Sequence, residues 1–363
     1  MNVVISGAND LVVKQEFQLA GIKLSSGQDF GPLVVAYETY GQLAPARDNA
    51  ILIFHALSGD AHVAGRYAPT DKKPGWWDSL VGRGKAFDTD KYFIICANVL
   101  GGCQGSTGPS SINPQTQRPY GLDFPLITIK DMVNVQVALL DQLGIERLQA
   151  AVGGSMGGML ALQLAVDWPE RVANIIAVAT AARVSAQNIA FNEVGRRAIL
   201  SNPHDGLAIA RMIGHITYLS DDLMREKFGR KTADRQSFAA NFNDPQFAVE
   251  SYLQYKGAAF TERFDANSYL YITKAIDLFN LADDGGGNLE QALAKSRSRF
   301  LVVHFSSDWL FPEYQALEIV KAIMNNNGHV SYRAIDSSYG HDAFLLESDQ
   351  LGTIITSFLA GAK

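Results

Sequence analysis

The chain has 363 residues with a formal net charge of -6, 47% hydrophobic and 19% charged residues. That balance is ordinary for a folded domain with a large core and speaks against general nucleic-acid binding. No apolar run approaches the length of a membrane span, residues 1–10 lack the basic-then-apolar order of a signal peptide, and two cysteines are too few for a disulfide framework, so a reducing cytoplasm is expected.

The opening third reads as strands. Residues 11–19 alternate loosely, and 33–40 are rich in β-branched and aromatic side chains, with Gly21, Gly27, Gly31-Pro32 and Gly41 as punctuation. Residues 50–56 and 93–98 are almost wholly apolar, as expected of strands covered on both faces. Cys96 falls in the second run and reads as a buried thiol. Cys103, in the glycine-rich loop 101–109, leaves a minor reactive role open. Gly101-Gly102 and Gly105 lack the ending of a phosphate loop and read as a turn. Residues 131–143 have helical spacing and close at Gly144; 148–152 and 174–179 are further buried strands around a helix over 159–168.

Between those strands lies Gly153-Gly154-Ser155-Met156-Gly157, one copy of G-x-S-x-G in a strand–turn–helix context. That context is what lifts a serine hydroxyl off the edge of a sheet, and it makes Ser155 the lead nucleophile against a merely structural glycine turn. From 184 to about 298 the texture changes to helical patterns (187–200, 207–212, 246–260, 268–281), with Arg196, Arg197, Arg211, Arg225, Lys227, Arg230 and Lys231 among the charges. Most of these read as a solvated surface, and the loop 283–287 marks the end of what reads as an inserted helical lid. Strand 300–306, helix 312–325, strand 329–335, a loop at 338–342 and a closing helix 350–359 resume the core. The rhythm predicts an α/β fold, mostly parallel sheet with helices on both faces, and ligands at the C-terminal strand ends. Three parts are expected: 1–183 as the first part of the core, 184–298 as the lid, 299–363 as the second part of the core.

A nucleophilic serine needs a base, and the base an acid, in the chain order Ser, Asp or Glu, His on this fold. Asp308 and His341 each follow a strand in that order; the alternatives are a helix cap for Asp308 and a surface-loop histidine for His341. The oxyanion donors are expected at the N–H of Met156 and of Leu57, the latter in the loop after the strand 50–56. There is no H-E-x-x-H or C-x-x-C pattern, and no metal is expected.

Together these pieces resemble the homoserine O-acyltransferases of methionine biosynthesis, an α/β-hydrolase-fold family, over nearly the whole chain. The motifs are Tyr37-Glu38-Thr39-Tyr40-Gly41, His55-Ala56-Leu57-Ser58-Gly59, Pro74-Gly75-Trp76-Trp77-Asp78 and Asn98 through Cys103. They continue through the serine elbow, Ser185 through Asn192, Arg211 through Tyr218, Ser307-Asp308-Trp309 and Gly340-His341-Asp342. The resemblance implies ping-pong acyl transfer from acyl-CoA to L-homoserine, Arg211 on the homoserine carboxylate, Asp342 on its amino group, and a homodimer formed through the lid helices. It implies no cofactor beyond acyl-CoA as co-substrate. Succinyl users commonly carry an arginine shortly after the Asp-Trp pair; Leu310 stands there and offers a carboxylate no partner, which favours acetyl-CoA. Arg196 or Arg66 could substitute. Competing expectations are a carboxylesterase with the same triad, a serine O-acyltransferase, and a non-catalytic binding protein on a degenerate hydrolase fold, which would normally have lost a triad member.

Overall fold

A computed structural model describes residues 11–233, 242 and 244–361; the reading of residues 1–10 lies outside these. The strands are β1 (Gln15–Leu19), β2 (Ile22–Lys23), β3 (Asp29–Phe30), β4 (Leu33–Tyr40), β5 (Ala50–Phe54), β6 (Phe93–Ala97), β7 (Ala150–Gly154), β8 (Asn174–Val178), β9 (Arg299–Phe305) and β10 (Val330–Ile335). Eight of them form one sheet in the order β1-β4-β6-β5-β7-β8-β9-β10, and β2 pairs with β3 as a small ribbon. The pairs β1–β4 and β4–β6 are antiparallel, while β6 through β10 run parallel. This is the α/β-hydrolase fold.

The continuous apolar runs follow from that topology. In a strand, successive side chains point to opposite faces. Leu52, Phe54, Ala151, Ile175 and Val302 therefore enter one core layer, and Ile51, Ile53, Val152, Ile176 and Val303 the other. Both layers are covered by helices, so both faces must be apolar. Helices α1 (Ile129–Gln142) and α2 (Met156–Asp167) lie over the first layer, α1 started by a capping box between Thr128 and Asp131.

After β8 the chain makes a helical excursion: α3 (Ala186–Ser201), α4 (Pro203–Tyr218), α5 (Asp221–Lys227), α6 (Ala248–Thr261) and α7 (Ala266–Asp277). Among the described residues none of it is named strand. Helices α3 and α4 form a tight hairpin in which a Cβ at Gly206 would overlap the Ala198 carbonyl. Helix α4 is far longer than the residues 207–212 expected, because Asn202 caps it, Pro203 fits its first turn, and packing against α3 and α6 overrides the β-branched Ile213, Ile216 and Thr217.

The excursion leaves at Ala182 and returns at Leu281, whose N–H bonds the Ala182 carbonyl at 2.8 Å. Residues 283–287, expected as a loop, begin with a 3₁₀ turn (Leu281–Gly285). Asp284 accepts from Lys130 at 2.5 Å and Gln163 at 2.8 Å, tying this turn to α1 and α2. Helix α8 (Leu289–Leu293) then packs on the core, followed by α9 (Glu313–Asn325), the short α10 (Ala343–Leu346) and α11 (Ser348–Ala360). Among the described residues no helix is long and apolar enough to cross a membrane.

Candidate active site

Ser155 stands between β7 and α2 with φ 58° and ψ -125°, a left-handed backbone that costs a non-glycine residue of order 1–3 kcal/mol. The turn is held open by what surrounds it: Ser155 N–H donates to Val178 O at 3.0 Å and Thr180 Oγ1 donates to Ser155 O at 2.7 Å. The neighbouring glycines serve a different need. A Cβ at Gly153 would overlap the Gly157 backbone, and one at Gly157 the Phe54 carbonyl. Strand, turn and helix can only cross this closely without side chains.

His341 lies in a 3₁₀ turn (Gly340–Asp342) after β10, and Asp308 in the loop after β9. The imidazole Nε2 is 2.9 Å from Ser155 Oγ, and Nδ1 is 2.8 Å from Asp308 Oδ2. Both His341 and Asp308 are buried at 3% exposure. Asp308 Oδ1 accepts from the N–H groups of Leu310 at 3.1 Å and Phe311 at 2.9 Å, so the carboxylate cannot swing away from the ring. Burial alone would disfavour the charged imidazolium, but the Asp308 carboxylate, by charge and hydrogen bond, and the charge of Asp342 outweigh it and raise the pKa of His341. Such a chain can take a proton from the serine hydroxyl and hold the resulting cation.

The two N–H groups expected to stabilise an oxyanion are free. Leu57 N–H and Met156 N–H donate to no protein acceptor among the described residues, and Met156 heads α2, where the helix field favours negative charge. The Leu57 loop is fixed by a residue that sequence reading left without a role. His55 is buried, accepts from Val99 N–H at Nε2 (3.0 Å), and therefore carries its proton on Nδ1, which donates to Ala56 O at 2.8 Å. Glu38 is a second such residue: fully buried on β4, it accepts from Tyr40 and Tyr67 hydroxyls at 2.5 Å each and contacts His62 Nδ1 at 3.0 Å. It anchors the 55–67 segment to the sheet. The β-branched and aromatic residues of 33–40 marked β4 as a strand, but nothing in them marked Glu38 as buried or named its partners.

Arg211, on α4, reaches the same place. Its Nη1 donates to Ser58 Oγ at 3.2 Å, and its guanidinium stands 4.7 Å from the Phe260 ring and 5.6 Å from the Tyr218 ring. It makes no ion pair among the described residues. Asp342 faces it; burial raises the pKa of that carboxyl, while the charges of His341, Arg211 and Lys256 oppose the rise. Sequence reading missed Arg263, whose Nη1 donates to Ser58 O at 3.0 Å, and Tyr218, which covers His341 at 6.0 Å between ring centres.

Ser155 opens on a cavity of about 60 Å³ walled by Leu57, Leu310 and Phe311 from the core and by Phe191, Tyr218 and Tyr269 from the excursion. No lysine or arginine lines it. Arg196 is half-committed to Glu193 and bound to Asp277 at 2.6 Å, and Arg66 donates to Asp71 O at 3.0 Å. The cysteines stand outside the chemistry: burial pushes both thiols up, Cys96 most, and Cys103 Sγ accepts from Asp265 N–H at 3.4 Å. Among the described residues no three His, Cys, Asp or Glu side chains converge as a metal site.

A family model described as alpha/beta hydrolase fold matches residues 49–348. The homoserine O-acetyltransferase of Methanohalobium evestigatum is 55% identical over 350 residues, covering 93% of this chain and 71% of that protein. The homoserine O-succinyltransferase of Acidithiobacillus ferrooxidans is 50% identical over 354 residues, covering 94% and 92%. Among solved structures, the homoserine O-acetyltransferase of Bacillus anthracis superposes with a TM-score of 0.91 at 30% identity, covering 96% and 98%. Esterase E22 superposes at 0.88 with 32% identity, covering 96% and 100%.

Proposed function

The chain belongs to the homoserine O-acyltransferase family of α/β hydrolases, and from that premise we propose that it transfers an acetyl group from acetyl-CoA to the hydroxyl of L-homoserine, in methionine biosynthesis. Ser155 Oγ attacks the thioester carbonyl as His341 Nε2 takes its proton and Asp308 steadies the imidazolium. The N–H groups of Leu57 and Met156 receive the oxyanion. The CoA thiolate leaves with the proton from His341, giving an acetyl-Ser155 ester. Homoserine then replaces CoA; His341 takes the proton of its hydroxyl, the oxygen attacks the ester, and Ser155 leaves with that proton.

The observation that carries this reading is Arg211, bonded to Ser58 next to the Leu57 loop and stacked near the Tyr218 that covers His341, within electrostatic reach of Asp342, with no ion pair to either among the described residues. A guanidinium and a carboxyl held apart at a nucleophile fit the carboxylate and ammonium of an amino acid; a water acceptor needs neither. The acetyl choice rests on the small cavity bounded by Leu310 and Phe311 and lined by no cation. The 50% identical succinyltransferase keeps succinyl-CoA as the second reading, and the 32% identical esterase keeps hydrolysis as a third.

The helical excursion acts as a lid that keeps water from the acyl-enzyme. It also pairs two chains: Val194 and Leu200 on α3, Ile209 and Ile216 on α4, and Tyr255 on α6 are exposed apolar side chains suited to a homodimer interface in the cytoplasm. CoA thiol release by the purified protein tests the reaction. Acetyl-CoA with L-homoserine should release thiol; preference for succinyl-CoA would overturn the acyl choice, and release without homoserine would overturn transfer.

A further inference from the structure

Helix α6 presents Tyr252, Lys256 and Phe260 at successive turns, one face of a helix, toward α4 with Arg211, His215 and Tyr218. The ring of Tyr252 gathers two ammonium groups, Lys227 Nζ at 4.9 Å from the end of α5 and Lys256 Nζ at 5.5 Å. Farther in, Phe260 gathers two guanidinium groups, Arg211 at 4.7 Å and Arg263 at 5.0 Å. The stripe therefore runs from exposed Lys227, through half-buried Lys256, to Arg211 at the Ser58 loop and Tyr218. Lys73, exposed on the loop before Trp76-Trp77, adds its charge to the same field.

These cations repel one another. Lys256 is held below the ordinary lysine range, first by burial and then by Arg211, Lys227 and Lys73. His215, whose Nδ1 lies 3.1 Å from the Tyr252 hydroxyl, is pushed down to about 3, first by burial and then by Arg211, Lys256, Lys227 and Arg263. Among the described residues none of Lys73, Lys227 and Lys256 pairs with a carboxylate; Asp342 faces Lys256, and Asp60 faces Arg263. A solvated surface disperses or pairs its charges; a concentration of unpaired cations on the helix faces above the site focuses anions there.

Arg211 and Arg263 are already bonded to Ser58, while Lys227 and Lys256 pair with no carboxylate among the described residues. The cavity at Ser155 has room only for the acyl end of a donor. Resting on the acyl-CoA reading above, we infer that Lys227 and Lys256 form the seat for the phosphate groups of the donor, its diphosphate and 3′-phosphate, outside the acyl cavity. Lysine ammonium groups, compact and mobile, suit phosphate oxygens whose position shifts along a flexible pantetheine arm. The seat also draws the donor toward the serine before it is bound, and salt weakens that pull.

The experiment measures CoA binding by calorimetry, and acetyl transfer from acetyl-CoA and from acetyl-pantetheine, which lacks the phosphates. Proteins compared are the wild type and Lys227→Gln/Lys256→Gln. The double variant should bind CoA about tenfold more weakly at low salt, and its preference for acetyl-CoA over acetyl-pantetheine should shrink by the same factor. Dephospho-CoA should lose less than CoA on the same substitution. Equal binding of CoA by wild type and variant overturns the seat and leaves the acyltransferase reading standing. Equal losses for both donors would make the lysines structural and overturn it too. Absence of CoA binding and of acetyl-CoA turnover in the wild type would remove the acyl-CoA reading itself, and the seat with it.

Discussion

The α/β core and the helical excursion each bring half of the site, by different physical means. In the core, Ser155, Asp308 and His341 sit in the turns and loops that follow strands β7, β9 and β10, and backbone hydrogen bonds fix the first two: Val178 O at the serine, Leu310 and Phe311 N–H at the aspartate. In the excursion, Arg211, Lys256 and the neighbouring cations are borne on helix faces and steadied by the rings of Phe260, Tyr218 and Tyr252. Strand ends bring the reacting atoms within hydrogen-bond reach of one another, 2.9 Å from His341 Nε2 to Ser155 Oγ and 2.8 Å from Nδ1 to Asp308 Oδ2. Helix faces deliver charge and shape, which tolerate looser placement. On the proposed reading, the core half supplies the chemistry common to acyl transfer and hydrolysis, and the excursion half supplies recognition.

That division is broken most directly from the core side. Ser155→Ala should lower acetyl transfer by at least about ten-thousand-fold with the melting temperature kept, since the nucleophile has no stand-in. Substantial remaining turnover would take the reaction away from Ser155. On the other side, Arg211→Ala should raise the KM for homoserine about a hundredfold while the KM for acetyl-CoA changes little, because a charged carboxylate loses its guanidinium. Steady-state kinetics with each substrate varied in turn separates the two. Equal rises would mean that Arg211 shapes the lid rather than clamping the acceptor.

The same contrast explains what could be read from the chain alone. The mostly parallel sheet, the serine elbow and the Ser-Asp-His order were legible because strands covered on both faces leave short apolar runs, with glycine punctuation and post-strand loops between them. Asp308 and His341 needed only their places after apolar runs. Arg211 had no such signal, since an arginine on a helix is normally solvated, and its role came from the resemblance of its motif. Arg263, His55 and Glu38 stayed silent because their partners, Ser58, Val99 and the Tyr40–Tyr67 pair, are set by tertiary packing. The extent of α4 was missed for a related reason: its cap at Asn202 is visible, but its continuation through Ile213–Tyr218 depends on α3 and α6.

His341 joins the two halves, and its titration sharpens the comparison. It must be neutral to take the serine proton, so kcat/KM falls as pH drops through its pKa. Burial opposes protonation, but Asp308 and then Asp342 raise that pKa above the ordinary 6.5, so the acid limb should lie above pH 6.5. Asp342→Asn removes one raising charge and should move the limb to lower pH, while also raising the KM for homoserine. A limb that stays in place, read from kcat/KM for acetyl-CoA, would mean that Asp342 does not act on the imidazole.

The smallest expected effect lies where core and excursion meet, at Leu310. Its backbone N–H serves Asp308, and its side chain walls the acyl cavity opposite Phe191 and Tyr269. Replacing the side chain leaves the backbone bond in place, so the serine–histidine–aspartate geometry should survive. Leu310→Arg places a guanidinium where a succinyl carboxylate would otherwise be desolvated without a partner. The ratio of kcat/KM for succinyl-CoA over acetyl-CoA should rise about tenfold, since the desolvation of both groups offsets most of the attraction of a buried charge pair. The acetyl rate should fall modestly, because an arginine overfills a 60 Å³ cavity. An unchanged ratio with both rates lowered would show that the cavity's size, set jointly with the excursion, governs acyl choice and that charge at residue 310 does not.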